Sequence, residues 1–364
     1  MAKNMNYRCL NCGGELAWNP ELQLWKCDYC DSSFTLDELE AAGKGQIKED
    51  TIDQGKTAQE EENTTDGTTS ADHSHLVEYS CSYCGAKIIT DAATSATFCA
   101  YCQSPIVISS QLVGDFAPER LIPFVKTKAA VMEEYKKFIK KPLTPKYFYQ
   151  QNNIEKLTGV YIPFFLYDTK GRGALDINGT RVTVWEDSKN RYTKTDTYRY
   201  EIAGDLDFEN VPVDASSKTD DNAMDSIEPF DFKEMVEFSP AYLAGFMAER
   251  YDEDDNATKG RMERRANKSL KDKLLQRTPS YHSTNVVRED LQMDVKKRRY
   301  VLLPTWILNT RYNGKEYLFA MNGQTGKFIG NLPIDKKKLL LYGLSTFTGS
   351  FAVFWLITRL VMGI

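Results

Sequence analysis

Histidine is scarce in this sequence, with only three among 364 residues. His73 and His75 lie in one polar stretch, and His282 lies in another. Few histidines are therefore available to activate a nucleophile. The sequence also does not single out a pair of carboxylates as general acid and general base. The sequence predicts no catalytic and no cofactor-binding residues, and it favours a protein that acts by binding over an enzyme.

A complete phosphate-binding loop is absent as well. Gly55-Lys56-Thr57 resembles the end of one, but Asp50 stands where the motif needs its first glycine, and no apolar strand precedes it. We therefore expect neither ATP hydrolysis nor strand separation. Residues 1–12 also lack the apolar core of a signal peptide, so we expect no secretion.

Large apolar side chains are nearly missing from residues 44–75, which hold three lysines against eight acids. Such a segment cannot bury enough apolar surface to fold, so a disordered acidic linker is expected. The whole chain carries a net charge of −5, and 41% of its residues are hydrophobic. That composition allows a sizeable core spread over two or three domains.

No cysteine is left over from two matching sets of four. Each set consists of two C-x2-C pairs with 14 residues between them, and the second set follows the first by 72 positions. Two such pairs close a tetrahedral shell of thiolates at about 2.3 Å from Zn2+. The spacer lies just below the usual range of about 15–20 residues. The eight residues are Cys9, Cys12, Cys27, Cys30, Cys81, Cys84, Cys99 and Cys102.

The cysteines predict two structural zinc sites, because four thiolates leave no coordination position open for a substrate. Gly13 and Gly85 follow the second cysteine of the first pair in each set, where a turn often needs a positive φ. Disulfides or buried free thiols are the alternatives. Thiolates that bind metal indicate a reducing compartment, the cytosol.

The repeat extends beyond the cysteines to the small core of a duplicated module. A capping box from Thr35 to Glu38 predicts a short helix after the first ribbon. The first ribbon is expected to move freely on its linker. The second runs on through residues 106–108 and is expected to pack on the following domain. The matched pairs are Tyr7 with Tyr79, Leu16 with Ile88, Tyr29 with Tyr101, and Phe34 with Ile106.

Residues 113–335 are expected to form a mainly antiparallel α+β body. Apolar residues at helical spacing predict a helix over residues 128–141, and a strand pattern begins at Val160. The apolar pattern also favours helix over residues 230–251. The turn signals are Asn178-Gly179 and Asn313-Gly314 for hairpins, and Thr325-Gly326 for a further turn.

An internal echo links residues 160–166 with residues 301–307, which lie 141 positions later. Each run holds a proline, Pro163 or Pro304, two residues before an aromatic side chain. Because proline cannot donate to a ladder, each run is expected to be an edge strand or a bulged strand. Two interpretations stay open: two similar core strands, or a duplicated β-unit that forms an aromatic-lined groove.

Residues 259–277 carry eight basic residues and two acids. Apolar residues at every fourth position, from Met262 to Leu274, predict a basic amphipathic helix. Three interpretations of its charged face stay open. The face contacts lipid, it contacts nucleic acid, or it is only solvated while the apolar side of the helix packs on the core. The acidic run 252–255 is interpreted as a solvated loop, with a divalent-cation site as the alternative.

Three lysines at 336–338 precede twenty uncharged residues, 339–358. Twenty helical residues span about 30 Å, the hydrocarbon thickness of a bilayer. A single transmembrane helix is therefore expected, with a buried core helix as the alternative, and the lysines predict that the preceding chain is cytoplasmic. Ser345 and Gly349 belong to a row of small residues, which leaves formation of a homo-oligomer open.

The combination resembles a family of bacterial proteins that contain a transcription factor IIB-type zinc ribbon. These proteins are often catalogued as primosomal protein N′ or as similar to a replication-restart helicase. The resemblance covers most of the chain outside the linker, and it implies the architecture and zinc binding. Without an ATPase motif it does not imply helicase activity. It rests on the two ribbons and on residues 159–164 (GVYIPF), 242–252 (YLAGFMAERYD) and 322–327 (NGQTGK).

These observations predict a multidomain α+β protein, held in the cell membrane by one C-terminal span with the bulk of the chain in the cytoplasm. The expected function is that of a non-enzymatic binding or scaffold module with a protein partner. The alternative is a nucleic-acid-binding zinc-ribbon protein of DNA replication or transcription. It is less favoured because only residues 259–277 and 296–299 supply clustered Lys and Arg. The expected divisions are ribbon one at 1–43, linker at 44–76, ribbon two at 77–112, body at 113–335 and membrane anchor at 336–364.

Overall fold

The computed structural model of the protein describes residues 4–5, 7–43, 76–81, 87–91, 93–99, 105–108, 111–112, 114–150 and 157–362. Within these ranges the helices are α1 (Leu36–Gly43), α2 (Lys128–Ile139), α3 (Asp221–Ile227), α4 (Asp255–Leu275) and α5 (Lys336–Met362). The first strands are β1 (Asn4–Met5), β2 (Leu16–Asn19), β3 (Leu24–Cys27), β4 (Ser33–Phe34), β5 (Leu76–Ser80), β6 (Lys87–Asp91), β7 (Thr94–Phe98) and β8 (Pro105–Ile108). The later strands are β9 (Arg120–Leu121), β10 (Thr158–Glu186), β11 (Arg191–Asp214), β12 (Val236–Glu237), β13 (Met247–Glu249), β14 (Ser283–Tyr312), β15 (Lys315–Asn322) and β16 (Phe328–Gly330).

One mostly antiparallel sheet runs through the molecule in the order β1-β8-β7-β13-β10-β14-β15-β16, with β11 beside β10 and β9 beside β14. Strands β2, β3 and β4 form a separate sheet in the first cysteine segment, and β5 pairs with β6. Strand β7 of the second cysteine segment pairs with β13 of the body. The expected α+β class is confirmed, and so is the packing of the second segment on the body.

Strands β10 and β14 form the centre of the sheet and are related by a pseudo-two-fold axis. The echo matches Ile162 with Leu303, and these two residues are also direct partners in the antiparallel register. Before its proline, each strand has a short parallel neighbour, β13 for β10 and β9 for β14. After its proline, each has an antiparallel partner, β11 or β15. This symmetry favours a duplicated β-unit over two merely similar core strands.

The expectation that the two prolines mark edge or bulged strands is wrong, since both lie at the centre of the sheet and the register shifts of β10 begin only at Tyr167. The carbonyl of Pro163 accepts a hydrogen bond from the Ala215 amide (2.9 Å), and that of Pro304 accepts one from the Gly323 amide (2.8 Å). The N–H and C=O of one residue point to the same side of an antiparallel strand. Each missing donor therefore points into the gap between two flanking strands, where no ladder partner requires it.

The long strands extend beyond the body as an arm, which we define as residues 169–208 together with 283–295. At about 3.3 Å per residue, its β10 portion from Thr169 to Glu186 reaches roughly 55 Å. The predicted turn at Asn178-Gly179 is wrong, because these residues pair in register with β11 in mid-strand. Gly179 is required by packing, since a Cβ there would lie 2.4 Å from the ring of Tyr281. The chain turns later, between β10 and β11.

Helix α4 covers one face of this arm, and the predicted basic amphipathic helix is confirmed. Leu270 and Leu274 pack on Leu175 and Ile177 of β10. Gly173 lets the helix approach, since a Cβ there would lie 3.1 Å from Leu270. The buried stripe of the helix consists of Thr258, Met262, Ala266, Leu270 and Leu274.

Residues 230–251 do not form the expected helix. They make two short 3-10 turns, Phe232–Glu234 and Pro240–Leu243, and the short strands β12 and β13. Their apolar side chains serve more than one surface: Phe230 belongs to a core beside α3, whereas Tyr242 and Phe246 belong to the core shared with the first cysteine segment. One face of a helix cannot pack against two cores that lie in different directions. Apolar spacing alone therefore gave a wrong prediction of helix for this segment.

Several other local predictions are confirmed. The Thr35 amide donates to the Glu38 carboxylate (2.8 Å), and the Glu38 amide donates to Thr35 Oγ1 (3.4 Å), which completes the capping box of α1. Helix α2 falls inside the predicted range 128–141. Asn313 and Gly314, both with positive φ, form the turn between β14 and β15.

Helix α5 is the one helix among the described residues that is long and apolar enough to cross a membrane. Within Lys336–Leu360, an 18-residue window reaches a mean hydropathy of 1.6, and none of that window is buried against the rest of the protein. The alternative of a buried core helix is therefore wrong. Asp335 caps the helix by accepting from the Lys337 amide (3.0 Å), and the Lys338 ammonium donates to the carbonyl of Thr144 (2.6 Å).

Candidate metal centre

The two C-x2-C loops of the first ribbon have the same backbone geometry. In each loop, the amide four residues after the first cysteine donates to the carbonyl of that cysteine: Gly13 to Cys9 (2.9 Å) and Asp31 to Cys27 (3.0 Å). Both donor residues have positive φ, 73° and 58°. The predicted conformation of Gly13 is confirmed. Two equal turns facing each other bring four thiols to one point.

The four thiols form a cluster of the size and donor type that zinc requires. All four sulfur atoms lie within 4.8 Å of one another. Cys9 and Cys30 are 3.4 Å apart, and Cys12 and Cys27 are 3.6 Å apart, close to the edge of about 3.8 Å expected for a tetrahedron of thiolates around Zn2+. The Gly14 amide donates to Cys12 Sγ (3.4 Å). One cation fits, and no fifth position is left for a substrate.

The surroundings favour ionisation of Cys30 over that of Cys12, although both thiols are exposed. Hydrogen bonds from the side chain and amide of Ser32 lower the pKa of the Cys30 thiol to about 6. The Gly14 amide lowers the pKa of Cys12, but hydrogen bonds to the neighbouring thiols outweigh it and raise that pKa to about 12. Without a metal the charge therefore concentrates on Cys30, and a bound divalent cation would release protons from the other thiols.

Two tryptophans join this cluster to the body of the protein. The Trp18 indole donates to the carbonyl of Phe124 (3.0 Å), and the Trp25 indole donates to that of Ala241 (2.8 Å). Both rings are buried, and the ring of Tyr242 packs 4.9 Å and 4.8 Å from them. The first ribbon is thus part of the main core, and its predicted free movement on a tether is wrong.

The motif at residues 242–252 is the joint between both cysteine segments and the body. Gly245 has a φ of 92°, and a Cβ there would lie 3.0 Å from Ala17 of the first ribbon. Ala248, in β13, pairs with Ala96 in β7 of the second segment. On its other side the same strand pairs with β10. This motif, which had no assigned role, therefore carries the assembly.

The second cysteine set is described only in part. Cys81 and Cys99 are buried together in a small core with Tyr79, Ile106 and Ile108. Their counterparts in the first set, Cys9 and Cys27, are the buried pair of the metal cluster. Cys84 and Cys102 lie outside the described residues, as do Gly85 and Tyr101.

The aromatic side chains of the β echo lie in a closed core instead of a groove. Phe124 stacks on Phe246 with ring centroids 4.0 Å apart. Tyr161 and Trp306 pack edge-on against the Phe124 ring, at 4.9 Å and 5.3 Å. Because the first ribbon covers this cluster, the interpretation of the echo as an aromatic-lined groove is wrong.

Most of the second basic run is neutralised within the protein. Lys296 pairs with Asp207, Arg298 with Asp255, and Arg299 with Asp168. Within residues 259–277, three of the eight basic residues are also held by acids: Arg261, Arg265 and Lys271. The other five cations of this range have no ion pair among the described residues: Lys259, Arg264, Lys268, Lys273 and Arg277.

The remaining polar candidates have local roles. Asp252 accepts from the hydroxyl of Ser217 (2.6 Å), and Asp254 caps α4 through the Ala257 amide (2.7 Å). His282 accepts a hydrogen bond from the Val182 amide (3.2 Å). The linker, with Lys56 and the other two histidines, lies outside the described residues.

Comparison with known proteins identifies a relative in Bacillus subtilis (strain 168), the uncharacterized protein YdjG. The two sequences are 34% identical over 260 residues, which is 71% of this chain and 76% of YdjG. The chain belongs to the YdjG family. No family model matches the sequence, and no solved structure matches it. The resemblance to proteins with a transcription factor IIB-type ribbon stays a prediction.

Sequence reasoning missed the role of Trp18 and Trp25. The two indoles lie opposite each other in the β2–β3 register, with ring centroids 4.6 Å apart. A ribbon of about 35 residues has too small a core to bury two indoles by itself. Two tryptophans in so small a module therefore indicate in the sequence that one of its surfaces docks on another part of the protein. Which residues they contact, those around Tyr242, depends on the fold.

Proposed function

We propose that this chain is a membrane-anchored cytoplasmic zinc-ribbon protein that acts as a binding or scaffold module without catalysis of its own. The observation that carries the proposal is the docking of a closed four-thiol cluster into the main core through Trp18 and Trp25. A metal held there stabilises the fold and offers no site for a reaction. Its contribution to the free energy of folding is on the order of 10 kcal/mol.

A second zinc ion is part of this proposal, bound by Cys81, Cys84, Cys99 and Cys102. Its support is the match between the two sets. Cys81 and Cys99 are buried side by side, like the first cysteine of each pair in the other ribbon. Tyr79, two residues before Cys81, is buried with them and repeats the position of Tyr7.

The membrane anchor in this proposal is α5. Its support is a fully exposed apolar helix, which is costly in water and favourable in lipid. The three lysines at its start fit a cytoplasmic body, because cytoplasmic flanks carry an excess of Lys and Arg. The capped junction at Asp335 ties the helix to the loop after α2.

A nucleic-acid-binding role is the second candidate. It is favoured by the five cations on or next to α4 that have no ion pair among the described residues. It is weakened by the neutralised run at residues 296–299. Phosphate binding needs several free cations, so α4 alone would carry it.

The metal part is tested by elemental analysis of full-length protein purified under reducing conditions. We expect two zinc ions per chain, one in each of the variants Cys27→Ser and Cys99→Ser, and none when both are combined. Because the first ribbon is docked, Cys27→Ser should also lower the melting temperature of the body. One zinc in the wild type that Cys99→Ser leaves unchanged would overturn the second site.

A further inference from the structure

The covered face of the arm continues beyond the end of α4 as an exposed aromatic strip. Trp185 stacks on Tyr192 with ring centroids 5.5 Å apart, and Tyr198 stacks on Tyr281 at 5.8 Å. Trp185, Tyr192 and Tyr198 are 49%, 39% and 41% exposed. We call these four residues the distal strip.

The distal strip and α4 lie on the same face of the arm. Leu175 and Ile177 of β10 point towards α4, and Gly179 lies under the ring of Tyr281. Side chains alternate between faces along a strand, so Arg181 and Trp185 share that face. A flat object can therefore contact the strip and the outer side of α4 together.

This face carries an excess of cations without an ion pair among the described residues, whereas several cations of the opposite face are held in ion pairs. Arg181 lies over the ring of Tyr198 (5.8 Å) and has no ion pair among the described residues. The outer ridge of α4, defined as Lys259, Arg264, Lys268, Lys273 and Arg277, likewise has none. On the opposite face, the ion pairs are Lys170 with Asp205, Arg199 with Asp176, and Lys296 with Asp207.

We propose that the α4 face of the arm binds the surface of an anionic phospholipid membrane. Tryptophan and tyrosine are the aromatic residues that favour the membrane–water interface, and unpaired Lys and Arg are attracted to anionic headgroups. The hairpin tip is polar: Glu186 pairs with Arg191, and Asp187 accepts from the Tyr192 hydroxyl (2.9 Å). The arm therefore lies along the surface and does not insert its tip.

The arm would be a second membrane contact, far from the first. Strand β14 begins in the arm at Ser283 and ends at Tyr312, which packs 5.1 Å from Tyr147 near the base of α5. Thirty residues at about 3.3 Å each separate these ends by roughly 95 Å along the strand. This proposal rests on the proposed membrane anchor in one respect: α5 would hold the protein at the bilayer that the arm contacts.

Single-stranded nucleic acid also binds to aromatic and basic side chains, but the arm is less suitable for it than for a membrane surface. Nonspecific binders of single strands combine a positively charged groove with open ring faces. Here the rings already cover one another in pairs, and the cations stand on a convex helix. A planar, fluid surface matches that shape better.

The test uses full-length protein in lipid nanodiscs, either of phosphatidylcholine alone or with phosphatidylglycerol added. Hydrogen exchange of residues 181–198 is followed by mass spectrometry. We expect exchange in this segment to be at least about fivefold slower in anionic discs, the effect of even one cation at the surface. High salt should remove the protection, because it screens exposed charges.

Two sets of variants decide the assignment. Lys268→Glu with Lys273→Glu, and separately Trp185→Ser with Tyr192→Ser, should each abolish the difference between the disc types. Arg172→Glu with Lys315→Glu, which changes exposed cations away from this face, should leave it intact. Equal exchange in both discs, or protection by a single-stranded oligonucleotide alone, would overturn the proposal. A protein that fails to enter discs would refute the anchor instead, and added anionic vesicles would then provide the same comparison for the arm.

Discussion

At the scale of single residues, Trp25 determines how the four-thiol cluster is joined to the rest of the protein. It lies two residues before Cys27 in β3, on the same buried face of the strand, and it is only 2% exposed. Its hydrogen bond to Ala241 satisfies the ring N–H at the centre of the interface. One face of β3 therefore carries both a thiol of the four-cysteine cluster and the ring that docks on the body.

Replacing this indole is expected to destabilise the whole protein. Trp25→Ala should lower the free energy of unfolding by about 3–5 kcal/mol, because a large buried ring is lost and a cavity remains. Trp25→Phe should cost less, since it keeps part of the ring and mainly loses a hydrogen bond of about 1 kcal/mol. Chemical denaturation of full-length protein in detergent provides the measurement.

The matched control for this prediction is Leu22→Ala, in the same ribbon. Leu22 is 52% exposed, so its loss should change the free energy of unfolding by less than about 0.5 kcal/mol. If Trp25→Ala behaved like this control, the ribbon would not be docked in solution.

At the scale of elements, a partly buried charge network holds α4 to the end of β11, next to the base of the arm. Arg261 of α4 contacts Asp214, at the end of β11, and also Asp221 and Glu253. Asp214 is 1% exposed. Burial raises its pKa to about 6, although the charge of Arg261 acts in the opposite direction. Three acids around one arginine thus make this junction sensitive to pH.

The free energy of unfolding should depend on pH partly because of the protonation of Asp214. Between about pH 4 and pH 6 the folded protein retains a proton at this carboxyl that the unfolded chain has released, so stability falls as pH rises through that window. A shift of two pKa units corresponds to up to about 3 kcal/mol. Asp214→Asn should remove this part of the fall, so the advantage of the wild type should be larger at about pH 4 than at about pH 7.

Unfolding free energies of the two proteins across this range provide the measurement. Both keep all eight cysteines, so protons linked to zinc cancel in the difference. The pKa values of Glu228 and Glu253 are also raised by burial, so Asp214→Asn should retain part of the slope. Parallel curves for the two proteins would show that Asp214 is not the titrating group.

At the scale of the whole molecule, the pseudo-two-fold centre, the docked ribbon and the terminal helix form one connected unit. The sheet links the cysteine segments to β10 and β14, and the loop around Thr144 links the body to α5. A membrane-bound α5 would therefore hold the body close to the bilayer by a capped, hydrogen-bonded junction instead of a free tether.

Removal of the anchor tests this arrangement. A reporter fused before Met1 should be located in the cytoplasm, and deletion of residues 336–364 should move the protein from the membrane to the soluble fraction in high salt, where the arm contact is screened. Full-length protein under the same conditions is the control. Sedimentation of the truncated protein with membranes in high salt would show that α5 is not the main anchor.

The sequence by itself determined the features that depend on neighbouring residues or fixed spacing. The four-thiol cluster at Cys9 and its partners, the capping box at Thr35 and the turn at Asn313 follow from local geometry. The apolar stripe of α4 and the exposed apolar helix α5 follow from the periodicity and length of their sequences.

Only the tertiary structure decided where each element finds its partner. Pro163 looked like an edge residue because the gap between β13 and β11 is formed by strands distant in sequence. Gly179 looked like a turn because only the Tyr281 ring above it explains the missing side chain. The first ribbon looked independent because its docking partners near Tyr242 follow about 200 residues later, and no local pattern records that contact.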